Sequence, residues 1–136
     1  MEQVFQWAGQ GKFLVQVVAD RPIPGSTGMG CTYHGLDHGS GEVDDYIVEH
    51  LDAGDVVLTR DYGLARRALE AGASPLNDRG IIWDHASLAK QERDLAIMTA
   101  MRAGGMRRGT LPAYHDRDLR QFRRALRRLF EISENA

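Results

Sequence analysis

GDVVLTRDYGLA, residues 54–65, is the stretch on which the fold turns. Asp55–Thr59 (DVVLT) is a short apolar, β-branched run that follows a glycine and reads as a strand. Asp61 stands where a helix cap belongs, and Leu64, Ala65, Ala68 and Leu69 then recur at helical spacing until Gly72 ends the helix.

Working outward, the upstream run Lys12–Asp20 (KFLVQVVAD) is valine-rich and bounded by a glycine and then prolines, which predicts a buried strand. Pro22, Pro24, Gly25, Gly28 and Gly30 predict a mobile loop from Arg21, running to residue 34 unless Cys31–His34 forms a short strand. Val43, Ile47, Val48 and Leu51 predict a helix over Val43–Ala53, with Asp44 placed to cap its start. Downstream, Ala73–Leu76 is a brief strand and Gly80–Trp83 (GIIW) a clearer one. Ser87–Ala103 follows as a helix with Leu88, Leu95, Met98 and Met101 inward, stopped by Gly104 and Gly105. Asp116–Ile132 is an amphipathic helix with Leu119, Phe122, Leu126 and Leu129 on one face and its arginines mostly elsewhere. Alternating strands and helices predict the α/β class, with a mainly parallel sheet covered on both faces.

At 136 residues, 43% hydrophobic and 26% charged, the chain is expected to form one domain, residues 1–136. Cys31 is the single cysteine, which excludes an intramolecular disulfide and a four-cysteine zinc site and suits a reducing compartment; its simplest role is a small core residue. No apolar stretch approaches the roughly 20 residues of a membrane span, and no basic segment leads into an apolar run, so the expected location is the cytoplasm. The net charge of −2 conceals a polarity. Residues 1–59 carry two bases against nine acids, whereas residues 102–128 hold nine arginines against Asp116 and Asp118. Carboxylates that hold cations and arginines that attract phosphate explain such a division; so does a solvated helix face.

In an open parallel sheet ligands bind beyond the carboxyl ends of the strands, which singles out Asp20, Asp37, Thr59 and Asp61, with Asp44 at a helix start. Two or three neighbouring carboxylates would hold Mg²⁺ or Mn²⁺ and let a metal-bound water attack a phosphodiester. Each also has a plainer role, Asp44 and Asp61 as N-caps and Asp37 in a turn of GLDHGSG. His34 and His38 lack a third ligand at fixed spacing, and GMGC (28–31) lacks the ending of a phosphate loop. Trp7 and Trp83 suit core or interface anchoring better than base stacking.

Taken together, GLDHGSGEVDDYIVEHLDAGDVVLTRDYGLA, the following GASPLNDRG, and RAGGMRRG ahead of DRDLRQF resemble the YaiI/YqxD family of bacterial proteins. The family's glycine-x-aspartate falls at Gly35–Asp37, its Asp-x-x-Ile at Asp44–Ile47, and its Gly-Asp-x-Val-x-Thr-x-Asp-x-x-Leu-Ala is matched throughout at Gly54–Ala65; the likeness runs from about Lys12 to the C-terminus. The resemblance implies a three-layer PIN-like fold, the compact α/β architecture of many metal-dependent ribonucleases. Asp44, Asp61 and Thr59 then take catalytic positions, Asp44, Asp61, Asp37 and Asp20 the Mg²⁺ or Mn²⁺ shell, and Arg102, Arg107 and Arg108 the contacts to RNA. The alternative is an inactive module that keeps only the binding of RNA or a protein partner.

The sequence departs from the family at its start, where members open with a strand ending Asp-x-Asp-Ala-Cys-Pro and only Glu2–Ala8 precedes the first strand here. GTLP (109–112) also replaces a usual Gly-Pro. A missing mid-sheet strand would leave backbone donors and acceptors unpaired. The expectation is therefore a start upstream of Met1, a strand-donating partner chain or a rearranged sheet, and, because apolar surface would be uncovered, a homo-oligomer.

Overall fold

The computed structural model describes residues 2–36, 42–105 and 113–132. They form a mixed α/β protein in which each strand pairing between elements is parallel, and the chain divides into two compact units, Met1–Leu51 with Leu126–Ala136, and Asp52–Ala125.

In the first unit, α1 (Glu2–Gly9) buries Val4, Trp7 and Ala8, a three-then-one spacing that puts all three on one helical face. The valine run then forms β1 (Val15–Ala19), which pairs in parallel with β2 (Cys31–Gly35) from Val15↔Cys31 to Ala19↔Gly35. The expected loop thus ends at Gly30 rather than at residue 34, because the Val15 and Leu36 amides extend the ladder to the carbonyls of Gly30 and Ala19. Ser26, buried within that loop, donates its hydroxyl to the Ile23 carbonyl at 2.6 Å. α2 (Glu42–Glu49) begins two residues before Asp44, which sits in its first turn and is not the cap. Arg127 lies 5.5 Å over the Trp7 ring, and the tilted rings of Phe13 and Phe130 meet at 4.7 Å.

The second unit is a βαβ arrangement: β3 (Val56–Leu58), α3 (Tyr62–Glu70) and β4 (Ser74–Leu76), with Val56↔Ser74 to Leu58↔Leu76 in parallel register. Ala65, Trp83 and Leu88 form its buried centre, with Tyr62 edge-on to Trp83 at 5.7 Å. α4 (His85–Ala103) starts at a capping box in which the Asp84 carboxylate accepts from the Ser87 amide and the Ser87 hydroxyl accepts from the Asp84 amide. α5 (Asp116–Phe130) is the last described element, and its residues as far as Ala125 belong to this unit.

Three expectations are corrected. GIIW is not a strand, since only Ile82 makes an antiparallel bridge to Leu76 while the Ile81 amide turns back to the Asn77 side chain. Leu95, Met98 and Met101 of α4 are exposed, not inward, and only Leu88 of that helix is buried. In α5 Leu119 is exposed, and the buried position of that turn is the acid Asp118 beside it. No helix among the described residues is long and apolar enough to cross a membrane.

Candidate functional site

The turn between β3 and α3 carries Thr59, Arg60 and Asp61. The Thr59 amide finishes the β3–β4 ladder on the Leu76 carbonyl at 2.9 Å, leaving its hydroxyl to accept from the Asp61 amide at 3.0 Å. Asp61 is extended (φ −87°, ψ 118°) and caps α3, its Oδ1 accepting from the Gly63 amide at 2.7 Å and the Leu64 amide at 3.2 Å. Both bonds fall on one oxygen of an exposed carboxylate, so Oδ2 is the atom with which Asp61 can meet a cation.

Beside this turn stands Asn77-Asp78-Arg79-Gly80, whose residues each have a definable task. Asn77 Oδ1 accepts from the amides of Arg79 and Ile81 at 3.0 and 2.9 Å and folds the turn. Asp78 takes the Arg60 guanidinium, and its carbonyl accepts from the Tyr114 hydroxyl at 2.7 Å. Arg79 reaches Asp118 Oδ2 at 3.1 Å and lies 5.7 Å over the Tyr114 ring. The His115 amide, first, and then Arg79 hold the Asp118 carboxyl below its ordinary range. Gly80, at φ 85°, lets the turn approach the backbone of α5 where any side chain would collide with Gln121. In the sequence these four residues stand out only as part of a family motif; an Asn-Asp-x-Gly turn of this kind is itself the signal that a loop is being anchored.

The outer face of α5 is basic. Arg117, Arg120 and Arg124 are exposed, three and four residues apart, opposite the face that buries Phe122 and Ala125. Arg102 is likewise exposed, in the last turn of α4. Arg107 and Arg108 lie outside the described residues, as do Asp37 and His38. Asp20, just beyond β1, is half-buried and accepts from the Arg21 Nε at 3.3 Å. Asp44 is half-buried on α2, and His34 shares a 3.0 Å hydrogen bond between its Nδ1 and the Tyr46 hydroxyl. Thr59 and Asp61 are therefore brought together in the second unit, while Asp20 and Asp44 belong to the first. Among the described residues no three His, Cys, Asp or Glu side chains are grouped to share a metal ion.

Parallel strand pairs, a helix capped by Asp61 directly after β3 and an arginine-faced α5 define an α/β protein with a carboxylate at a strand end and a basic helical surface. The chain belongs to the YaiI/YqxD family: the family model described as uncharacterized BCR, YaiI/YqxD family, matches residues 1–132. It is 31% identical over 128 residues to a UPF0178 protein of Stutzerimonas stutzeri (strain A1501), covering 94% of this chain and 85% of that protein. A UPF0178 protein of Pseudoalteromonas atlantica (strain T6c / ATCC BAA-1087) is 31% identical over 126 residues, covering 93% and 86%. One from Xanthomonas campestris pv. campestris (strain 8004) is 37% identical over 84 residues, which is 62% of this chain and about half, 52%, of the relative. No solved structure matches the chain.

Proposed function

We propose that this chain is a nucleic-acid-binding α/β module that holds phosphates along the exposed face of α5, with RNA as the expected partner. The observation that carries this reading is the row Arg117, Arg120 and Arg124, exposed on one face of a helix whose other face is buried. At about 1.5 Å per residue the row extends about 10 Å, enough to meet successive phosphates of one strand. Arg124 has Arg120, Arg127 and Arg128 at three- and four-residue spacing and no acid there. Such like-charge pairs destabilise a helix by about 0.2–0.5 kcal/mol each, and a bound polyanion removes that repulsion. Arg102, Arg107 and Arg108 extend the same basic segment of sequence.

The test is fluorescence anisotropy with a labelled single-stranded RNA as salt is raised. Three phosphate contacts predict a slope of log K against log salt of about −2 from this row. Arg117→Ala/Arg120→Ala/Arg124→Ala should weaken binding at least about tenfold at low salt and flatten the slope, with stability changed by no more than about 0.5 kcal/mol per site. A triple variant that binds RNA as tightly as the parent removes α5 from the function.

Metal-dependent phosphodiester hydrolysis is the second reading, favoured by the second oxygen of Asp61 beside Thr59. In it Asp44 and Asp61 hold Mg²⁺ or Mn²⁺, Asp37 or Asp20 completes the shell, and Thr59 holds a ligand or water. Asp37, one of these ligands, lies outside the described residues, whereas the arginine row is exposed on a described helix, and binding is therefore placed first. Calorimetric titration with Mn²⁺ decides it. Asn caps a helix about as well as Asp, so the Asp44→Asn/Asp61→Asn variant keeps the cap of α3 and loses only the charges. Mn²⁺ binding lost in the variant supports the hydrolase; binding absent from both proteins, or equal in both, rejects it.

A further inference from the structure

The two halves of α4 live in different surroundings. Its first turns enter the core of the second unit at Leu88 and are tied to α3 by the Arg66–Glu92 ion pair. From Arg93 to Gly105 every residue is exposed. Among them are Leu95 (40%), Ile97 (56%), Met98 (41%) and Met101 (49%). Helices in proteins are held mainly by burying an apolar face. Leu95, Met98 and Met101 supply such a face, since at about 100° per residue they fall within a stripe about 120° wide. Asp94 and Arg102 lie within the same stripe, one on each side of Met98.

We propose that a second copy of this chain covers this stripe, with α4 packed antiparallel on α4 about a two-fold axis at Met98. A two-fold interface requires a surface that complements itself, and the sequence has that property about this one centre. Met98 meets Met98, Leu95 of one copy lies at the level of Met101 of the other, and Asp94 at the level of Arg102. A parallel alignment would instead set Asp94 beside Asp94 and Arg102 beside Arg102, which like-charge repulsion disfavours. Methionine is unbranched and adaptable, so a stripe with Met98 at its centre packs without a pre-shaped groove. Two short stripes bury less than the roughly 800 Å² per partner of a standard interface, so the dimer is weak and concentration-dependent.

Sedimentation velocity of the full chain, from low micromolar to several hundred micromolar, reads the monomer–dimer equilibrium. Asp94→Arg alone and Arg102→Asp alone each place like charges across the seam and should weaken the dimer about tenfold or more; the Asp94→Arg/Arg102→Asp double variant restores opposite charges and should recover it. Both positions are exposed, so far-ultraviolet circular dichroism of all three variants should match the parent at monomeric concentrations. A chain that stays monomeric throughout, single variants that dimerise like the parent, or a double variant that fails to recover the dimer each overturns the proposal.

Discussion

Replacing Gly80 with alanine tests how tightly the Asn77–Gly80 turn is fitted to α5. Gly80 has φ 85°, and an added Cβ would stand 2.5 Å from the carbonyl carbon and oxygen of Gln121 and 2.8 Å from the Phe122 nitrogen. Two penalties follow. A side chain in the left-handed region destabilises by about 1–2 kcal/mol. The collision is with backbone, which cannot rotate away as a side chain would, so α5 or the turn must shift at a further penalty of about 1–3 kcal/mol. Gly80→Ala is therefore expected to lower stability by about 2–5 kcal/mol. Gly54 isolates the first penalty, since it has φ 90° and an added Cβ there would meet nothing within 4 Å. Gly54→Ala should fall short of Gly80→Ala by the collision alone, about 1–3 kcal/mol. Urea denaturation followed by circular dichroism gives both values. Equal losses in the two variants would refute the argument, because the close approach of α5 would then contribute nothing.

Asp118 has its carboxyl held below its unfolded value, so it stabilises the native state above about pH 4 and that contribution is lost as pH falls through the folded value. Asp84 and Glu92, lowered by Ser87 and by Arg66 respectively, act in the same direction. The melting temperature should thus fall below about pH 4, and Asp118→Asn should make that limb shallower; an unchanged acid limb counts against the Arg79–His115 account. Asp61→Ala should lose about 1 kcal/mol by removing the acceptor of two α3 amides, and Asp61→Asn only a few tenths, as thermal melts would register.

What the sequence revealed was local. Asp55–Leu69 reads correctly because a β-branched run, a capping aspartate and a helical repeat each act within a few residues, and the cap geometry at Asp61 follows directly. β1 was legible from its valine run, whereas Cys31–Gly35, left open between loop and strand, is set by its parallel pairing with β1 more than by its own composition. GIIW misled because its apolar residues do not reveal that Asn77 takes the Ile81 amide. α1 was overlooked although Val4, Trp7 and Ala8 mark its buried face. The inward assignment of Leu95, Met98 and Met101 failed for a more general reason. Periodicity identifies a face that can be buried, but not what buries it, and among the described residues of its own unit this face stays exposed.

The same limit bears on the candidate site. An aspartate at a strand end followed by a helix has identical local chemistry whether it caps the helix or holds a metal, and Asp61 performs the first task with one oxygen of an exposed carboxylate, which leaves the second oxygen for the other. The arginine row differs in kind. An exposed arginine contributes little to folding, and α5 already has its core contacts in Phe122 and Ala125 and its anchor in the Asp118–Arg79 pair. Arg117, Arg120 and Arg124 add mutual repulsion to a helix that is otherwise held without them. Stability and RNA affinity should therefore separate on this helix: truncation of the buried Phe122 lowers stability, whereas loss of the three arginines leaves the helix folded and reduces binding alone.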